Sequence, residues 1–119
     1  MNRGTPSDLA KAVTEKELQA TVIEIMEWEK WLCYHTHDSR RSNPGFPDLV
    51  AVRQGRLMFV EFKSERGKLR PEQVDWLDAL VRSHGEVYVV RPSTQDQFLE
   101  AMRGTGNVKC HWRNVREGG

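Results

Sequence analysis

Pro47-Asp48-Leu49-Val50-Ala51-Val52-Arg53-Gln54-Gly55-Arg56-Leu57-Met58-Phe59-Val60-Glu61-Phe62-Lys63 is the stretch that decides the fold. Pro47 to Val52 and Leu57 to Lys63 are β-prone runs, and Gln54-Gly55-Arg56 between them is a tight connection. Residues 47–63 therefore read as a β-hairpin. Side chains two apart in a strand share a face, so Glu61 and Lys63 lie together near the end of the second strand. Asp48 begins the first strand and so faces the end of its partner. The pattern predicts that Asp48, Glu61 and Lys63 converge at one end of a sheet.

The same logic extends outward. Thr14-Glu15-Lys16-Glu17 fits a capping box, with Thr14 as N-cap and Glu17 reaching back to it. Leu18, Val22, Ile25 and Met26 follow at helical spacing and predict a helix over about 15–30. Trp31 to His35 reads as a short strand. Residues 36–46, with Asn43, Pro44 and Gly45, read as a loop. Pro71 opens a second helix with Val74, Leu77, Leu80 and Val81 on its apolar face, and Gly85 ends it. Val87-Tyr88-Val89-Val90 is a buried strand, and Ser93 is expected to cap a last helix over about 94–102. The order αβββαβα predicts an α/β fold, a mixed central sheet flanked by helices. Residues 1–13 read as a flexible lead-in, 14–103 as the domain and 104–119 as a polar tail.

The 119 residues suit one domain. The net charge is +1, so overall charge does not announce nucleic-acid binding. Charge clusters locally instead. Residues 63–70 carry Lys63, Arg66, Lys68 and Arg70 against Glu65, and Arg40-Arg41 form a second pair. An isolated run of this kind is more often a solvated face than a DNA surface. Cys33 and Cys110 lie far apart without zinc spacing and read as free thiols of a reducing compartment. No signal peptide or membrane-length apolar run is apparent, so an intracellular, cytoplasmic protein is expected. His35 and His37, two apart with no further Cys or His at ligand spacing, make a poor zinc site. The tryptophans Trp28, Trp31, Trp76 and Trp112 read as core or interface.

Two carboxylates and an ammonium in one place point to a hard divalent cation with oxygen ligands. Phosphodiester hydrolysis asks for that set. Asp48 and Glu61 would hold Mg²⁺ or Mn²⁺, which acidifies water and draws charge from a phosphoryl oxygen. Lys63 would orient water or steady the developing charge. The backbone carbonyl of Phe62 would add a further metal oxygen.

In the order and spacing of its motifs the sequence resembles the VRR-NUC domains, virus-type replication-repair nucleases of the PD-(D/E)xK superfamily, to which Holliday-junction resolvases also belong. The matching text is Thr14-Glu15-Lys16-Glu17-Leu18-Gln19, Tyr34-His35-Thr36, Pro44-Gly45-Phe46-Pro47-Asp48-Leu49-Val50, Phe59-Val60-Glu61-Phe62-Lys63-Ser64, Leu69-Arg70-Pro71-Glu72-Gln73-Val74-Asp75-Trp76-Leu77 and Val87-Tyr88-Val89-Val90-Arg91-Pro92. It covers about residues 14–100. The small size resembles stand-alone phage or bacterial members.

The resemblance implies a restriction-endonuclease-like core, dependence on Mg²⁺ or Mn²⁺, and cleavage of DNA, often at branched structures such as four-way junctions or flaps. It implies that Asp48 and Glu61 bind metal and that Lys63 is catalytic. It also places a glutamate of the first helix at the site, as a further metal ligand and catalytic residue. Glu15 and Glu17 compete for that role; Glu15 is preferred because the capping box already occupies Glu17. Gln73 matches a glutamine that serves the site from the helix after the Lys63 strand. Arg70 departs from the small capping residue usual before the proline, which weakens that cap and adds a cation near the DNA path. His35, Arg40, Arg41, Ser42, Arg66, Lys68 and Arg70 are the expected DNA contacts. The two-fold symmetry of a four-way junction favours a homodimer. The competing readings are a non-catalytic DNA-binding module that kept the fold and, more weakly, an exonuclease.

Overall fold

The computed structural model describes residues 6–36 and 43–104. Helix α1 (Pro6–Ala12) comes first, then α2 (Glu15–Trp28), β1 (Leu32–His35), β2 (Leu49–Arg53), β3 (Arg56–Phe62), α3 (Pro71–Val81), β4 (Glu86–Val90) and α4 (Gln95–Arg103). The four strands form one sheet in the order β1-β2-β3-β4. β1/β2 and β2/β3 are antiparallel and β3/β4 is parallel, so the sheet is mixed. The parallel pair needs a crossover, and α3 supplies it.

The hairpin forms as its sequence predicts. Arg53 pairs with Arg56, leaving Gln54 and Gly55 as a two-residue turn with φ of 50° and 80°. Two successive positive φ values mark the turn whose twist matches antiparallel strands.

Alternation along the strands divides the core in two. On one face Leu49, Ala51, Met58, Val60 and Tyr88 pack with Leu18, Val22 and Met26 of α2 and Phe98, Leu99 and Met102 of α4. On the other, α3 sets Leu77 against Val87 and Val89, with Phe59, Val74 and Leu80 around them. Two arginines at the hairpin tip tie the helices down. Arg53 donates to the Glu29 carbonyl at the end of α2 (2.9 Å). Arg56 donates to the Met102 and Ala101 carbonyls at the end of α4 and pairs with Glu86 at 2.8 Å. Cations suit helix C-termini, where carbonyls lack partners. Both guanidiniums also stack over Trp31, at 4.9 and 5.1 Å from its ring.

Two expectations need correction. Residues 6–12, read as part of a flexible lead-in, form α1, which packs against the turn Pro92–Thr94. Ser93 does not cap α4. A 3₁₀ turn intervenes, and the Ser93 N–H donates to the Glu65 carboxylate at 3.0 Å. Of the tryptophans read as core or interface, Trp31 is buried in the core and Trp28 is 78% exposed, which leaves it the interface reading. No helix among the described residues is long and apolar enough to cross a membrane.

Candidate active site

Register builds the site. Leu49 pairs with Val60, so the residues flanking that pair, Asp48 and Glu61, fall opposite each other at the end of β2/β3. Asp48 turns its carboxylate onto the Phe62 N–H at 2.8 Å. Its own carbonyl accepts from the Thr36 N–H at 3.2 Å, which joins the end of β1 to the site. Glu61 and Lys63 are both buried. The Lys63 Nζ lies 4.0 Å from Glu61 and 3.9 Å from Glu15.

Glu15 and Glu17 have separate surroundings. Thr14 and Glu17 exchange both hydrogen bonds of the capping box, at 3.0 and 3.1 Å. The Thr14 backbone N–H holds the Glu17 carboxyl below its ordinary range. Glu15, one position into α2, reaches Lys63 instead, and its charge also acts on Asp48 and Glu61. Glu15→Gln is accordingly expected to slow cleavage about tenfold or more with little change in melting temperature, while Glu17→Gln keeps activity because an amide oxygen also serves the box. Cleavage rates and thermal melts on the same preparations check this; loss of cleavage in Glu17→Gln alone would reverse the choice.

Gln73 is buried between two duties. Its Oε1 accepts from the Arg70 N–H at 2.9 Å, and its Nε2 donates to Glu61 Oε2 at 2.9 Å. The first bond half-caps α3, which explains how Arg70, lacking any side-chain acceptor, can stand at the N-cap. The second fixes Glu61. Its other oxygen, Oε1, is buried and receives no N–H or O–H from another residue; a proton on Glu61 is shared with the Asp48 carboxylate beside it.

A buried carboxylate oxygen that receives no such donor is costly to ionise. Burial, helped by the adjacent Asp48 carboxylate, pushes the Glu61 carboxyl up to about 9. Burial also raises Asp48, against the opposing effect of the Phe62 N–H. Two oxygen ligands that resist ionising beside each other fit a hard divalent cation, whose charge restores both. Among the described residues no three His, Cys, Asp or Glu side chains close on one point, so Glu15, expected as a third metal ligand, is not gathered with the Asp48 and Glu61 pair. Mg²⁺ commonly takes one or two carboxylates and completes its shell with water and phosphate.

Gly45 positions this pair. Its φ is +89°, and an added Cβ would overlap the Glu72 carbonyl and approach the Gln73 nitrogen to 2.9 Å. The loop before Asp48 is thus pressed against the first turn of α3, the turn that carries Gln73. Phe46 anchors it further, edge-on to Trp76 at 5.0 Å and to Phe59 at 6.2 Å.

The VRR-NUC domain family model matches residues 7–94. The chain belongs to the VRR-NUC family. It is similar to a solved VRR-NUC domain structure with a TM-score of 0.61 and 27% identity, over 74% of this chain and 97% of that one. No curated protein matches it. The family is nuclease-type, and the α/β fold with its mixed sheet agrees with it.

The expected DNA contacts of this VRR-NUC domain fall in three places. His35 lies at the site end of β1, one residue before Thr36, and lines a groove of about 550 Å³ with Lys16, Gln19 and Glu27. Arg66, Lys68 and Arg70 are exposed on the segment between Lys63 and α3. Arg40, Arg41 and Ser42 lie outside the described residues, as do His37, Cys110 and Trp112. Cys33 is a free thiol, which burial pushes up to about 11. The sequence reading missed Gly45 as a contact of α3; only its glycine identity hinted at it.

Proposed function

We propose that this chain is a Mg²⁺- or Mn²⁺-dependent DNA endonuclease, selective for branched DNA and acting as a homodimer. The observation that carries the reading is the buried Glu61 carboxyl set against Asp48, with the Lys63 ammonium 4.0 Å from Glu61. Asp48, Glu61 and the Phe62 carbonyl would hold the cation, with Glu15 adding negative charge from α2. A divalent cation there supplies Lewis-acid charge for phosphodiester hydrolysis.

The protein's own groups do the rest. The Phe62 N–H and the Gln73 amide hold Asp48 and Glu61 in fixed orientations before substrate arrives. Lys63 steadies negative charge as it develops on the phosphate. Arg66, Lys68 and Arg70 attract the DNA backbone, with His35 at the other flank.

The homodimer is supported by symmetry and by an uncovered face. One chain carries one site, and cutting both strands at a four-way junction calls for two. α3 covers only the β3/β4 half of its sheet face. Among the described residues, Leu32, Tyr34, Val52 and Leu57 remain exposed on the other half, by the edge strand β1, and no charged strand residue stands between them on that face. An uncharged edge strand of this kind invites a second copy.

The test is a cleavage panel of duplex, flap, splayed-arm and four-way-junction DNA in Mg²⁺, with oligomeric state measured alongside. Branched substrates should be cut about tenfold or more faster than duplex, by a dimer. Binding without Mg²⁺-dependent cleavage of any substrate would make the chain a DNA-binding module.

A further inference from the structure

Arg91 follows β4 directly and belongs to none of the motifs that supply the catalytic groups. Its surroundings are nonetheless unusual. Its Nη1 donates to the carbonyls of Ser64 at 2.8 Å and Gly67 at 2.7 Å, with a longer contact to Glu65 at 3.4 Å. Three carbonyls of one short loop converge on one guanidinium nitrogen. The loop is that which leaves Lys63.

The loop is fastened elsewhere too. The Lys63 N–H donates to the Val90 carbonyl at 3.0 Å, one residue before Arg91. The Gly67 N–H closes a turn onto the Ser64 carbonyl at 3.2 Å. The Glu65 carboxylate accepts from the Ser93 N–H, just beyond Arg91. Gly67 stands so near Lys63 that a Cβ there would lie 3.6 Å from the lysine Cδ and 2.8 Å from Ser64 Oγ. The loop therefore passes beside the lysine stem at Gly67. Its remaining cations, Arg66 and Lys68, are exposed.

We propose that Arg91 is a positioning residue for phosphodiester cleavage: it braces loop 64–67, which holds the Lys63 side chain toward Glu61 and presents Arg66 and Lys68 to the DNA backbone. The inference rests on the nuclease reading above. Arg91 spends its charge on the loop carbonyls and makes no phosphate contact. Lysine is a poor substitute, because its compact ammonium on a flexible stem lacks the planar fork that the guanidinium brings.

The test uses Arg91→Lys, which keeps the charge, and Arg91→Gln, which removes it. Three quantities are read: amide exchange at Gly67, single-turnover cleavage at saturating DNA in Mg²⁺, and DNA affinity across a salt series in Ca²⁺. The brace predicts that both variants speed Gly67 exchange about tenfold or more and slow saturated cleavage about tenfold. It also predicts a salt dependence of affinity equal to that of wild type in both. A slope reduced by about one unit in Arg91→Gln alone would make Arg91 a phosphate anchor and overturn the proposal. Unchanged exchange, or a lower melting temperature with an unchanged saturated rate well below it, would also overturn it. Should the Arg91 variants fail to fold, Glu65→Ala removes the neighbouring tether at the loop surface. It should shift exchange and rate in the same direction by a smaller factor, and no shift in either defeats the brace. A wild type that cleaves nothing defeats the nuclease reading, while exchange at Gly67 still decides the brace.

Discussion

Glu61→Gln is expected to abolish cleavage, by about 10³-fold or more, while making the metal-free protein more stable in alkali. The two effects have one cause. The Glu61 carboxyl is buried, and in the folded chain it holds its proton up to about 9. The unfolded chain releases that proton near the ordinary value of 4.5. Between those pH values the folded state binds more protons, so stability falls as pH rises. The contribution is fully present below about 4.5 and is lost as pH passes about 9. Glutamine has the same shape and no charge at any pH. Its oxygen accepts from Gln73, and its nitrogen can face Asp48. In EDTA at pH 9 the variant should therefore melt roughly 5 °C or more above wild type, and at pH 5 the two should nearly coincide. Thermal melts across pH, with and without divalent cation, check this. Added Mn²⁺ should raise the wild-type melting temperature and leave the variant unmoved. A variant less stable than wild type at pH 9 in EDTA would show that Glu61 is not under the strain described.

Among the described glycines, Gly45 should be the one least able to accept a methyl, as Gly45→Ala. The position combines a left-handed φ of +89° with direct overlap of the new Cβ and the Glu72 carbonyl. The backbone conformation alone costs a non-glycine residue about 1–2 kcal/mol. Relieving the overlap requires the loop and α3 to separate, for a total on the order of 3 kcal/mol and a melting temperature lower by about 10 °C. Separation also draws Gln73 away from Glu61 and shifts the start of β2, so cleavage should fall well beyond the stability loss at temperatures where the variant is folded. Gly55→Ala provides the contrast. Gly55 also has positive φ, 80°, but nothing lies within 4 Å of its added Cβ. It should lose about 1–2 kcal/mol and keep its activity. Equal activity in the two folded variants would remove Gly45 from the site.

Much of this was legible in the chain because it is local. The two-residue spacing of Glu61 and Lys63, the turn at Gln54-Gly55 and the box of Thr14 with Glu17 each depend on a few neighbouring residues. The pairing of Asp48 with Glu61 needed only the hairpin. What the sequence hid is tertiary. α1 is seven residues long, too short to show an amphipathic period, and it packs on the turn Pro92–Thr94, far along the chain. Arg53 and Arg56 look like surface charges until the ends of α2 and α4 arrive to use them. Gln73 reads as one amide, yet it serves both a helix cap and Glu61. Arg91 sits after a strand as any arginine might; only the fold gathers the carbonyls of Ser64 and Gly67 around it. Trp28 falls on the exposed side of a helix end, which hydropathy alone does not distinguish from the buried side.

The reading of Asp48 and Glu61 as the cation site of a nuclease meets its most direct test in calorimetric titration of Mn²⁺ into wild type and Asp48→Ala. Single-turnover cleavage of a four-way junction is followed on the same preparations, with folding verified for both. Wild type should bind Mn²⁺ and cut only when it is present, and Asp48→Ala should stay folded, lose the binding heat and lose cleavage. Undiminished Mn²⁺ binding and metal-dependent cleavage in Asp48→Ala would contradict the account.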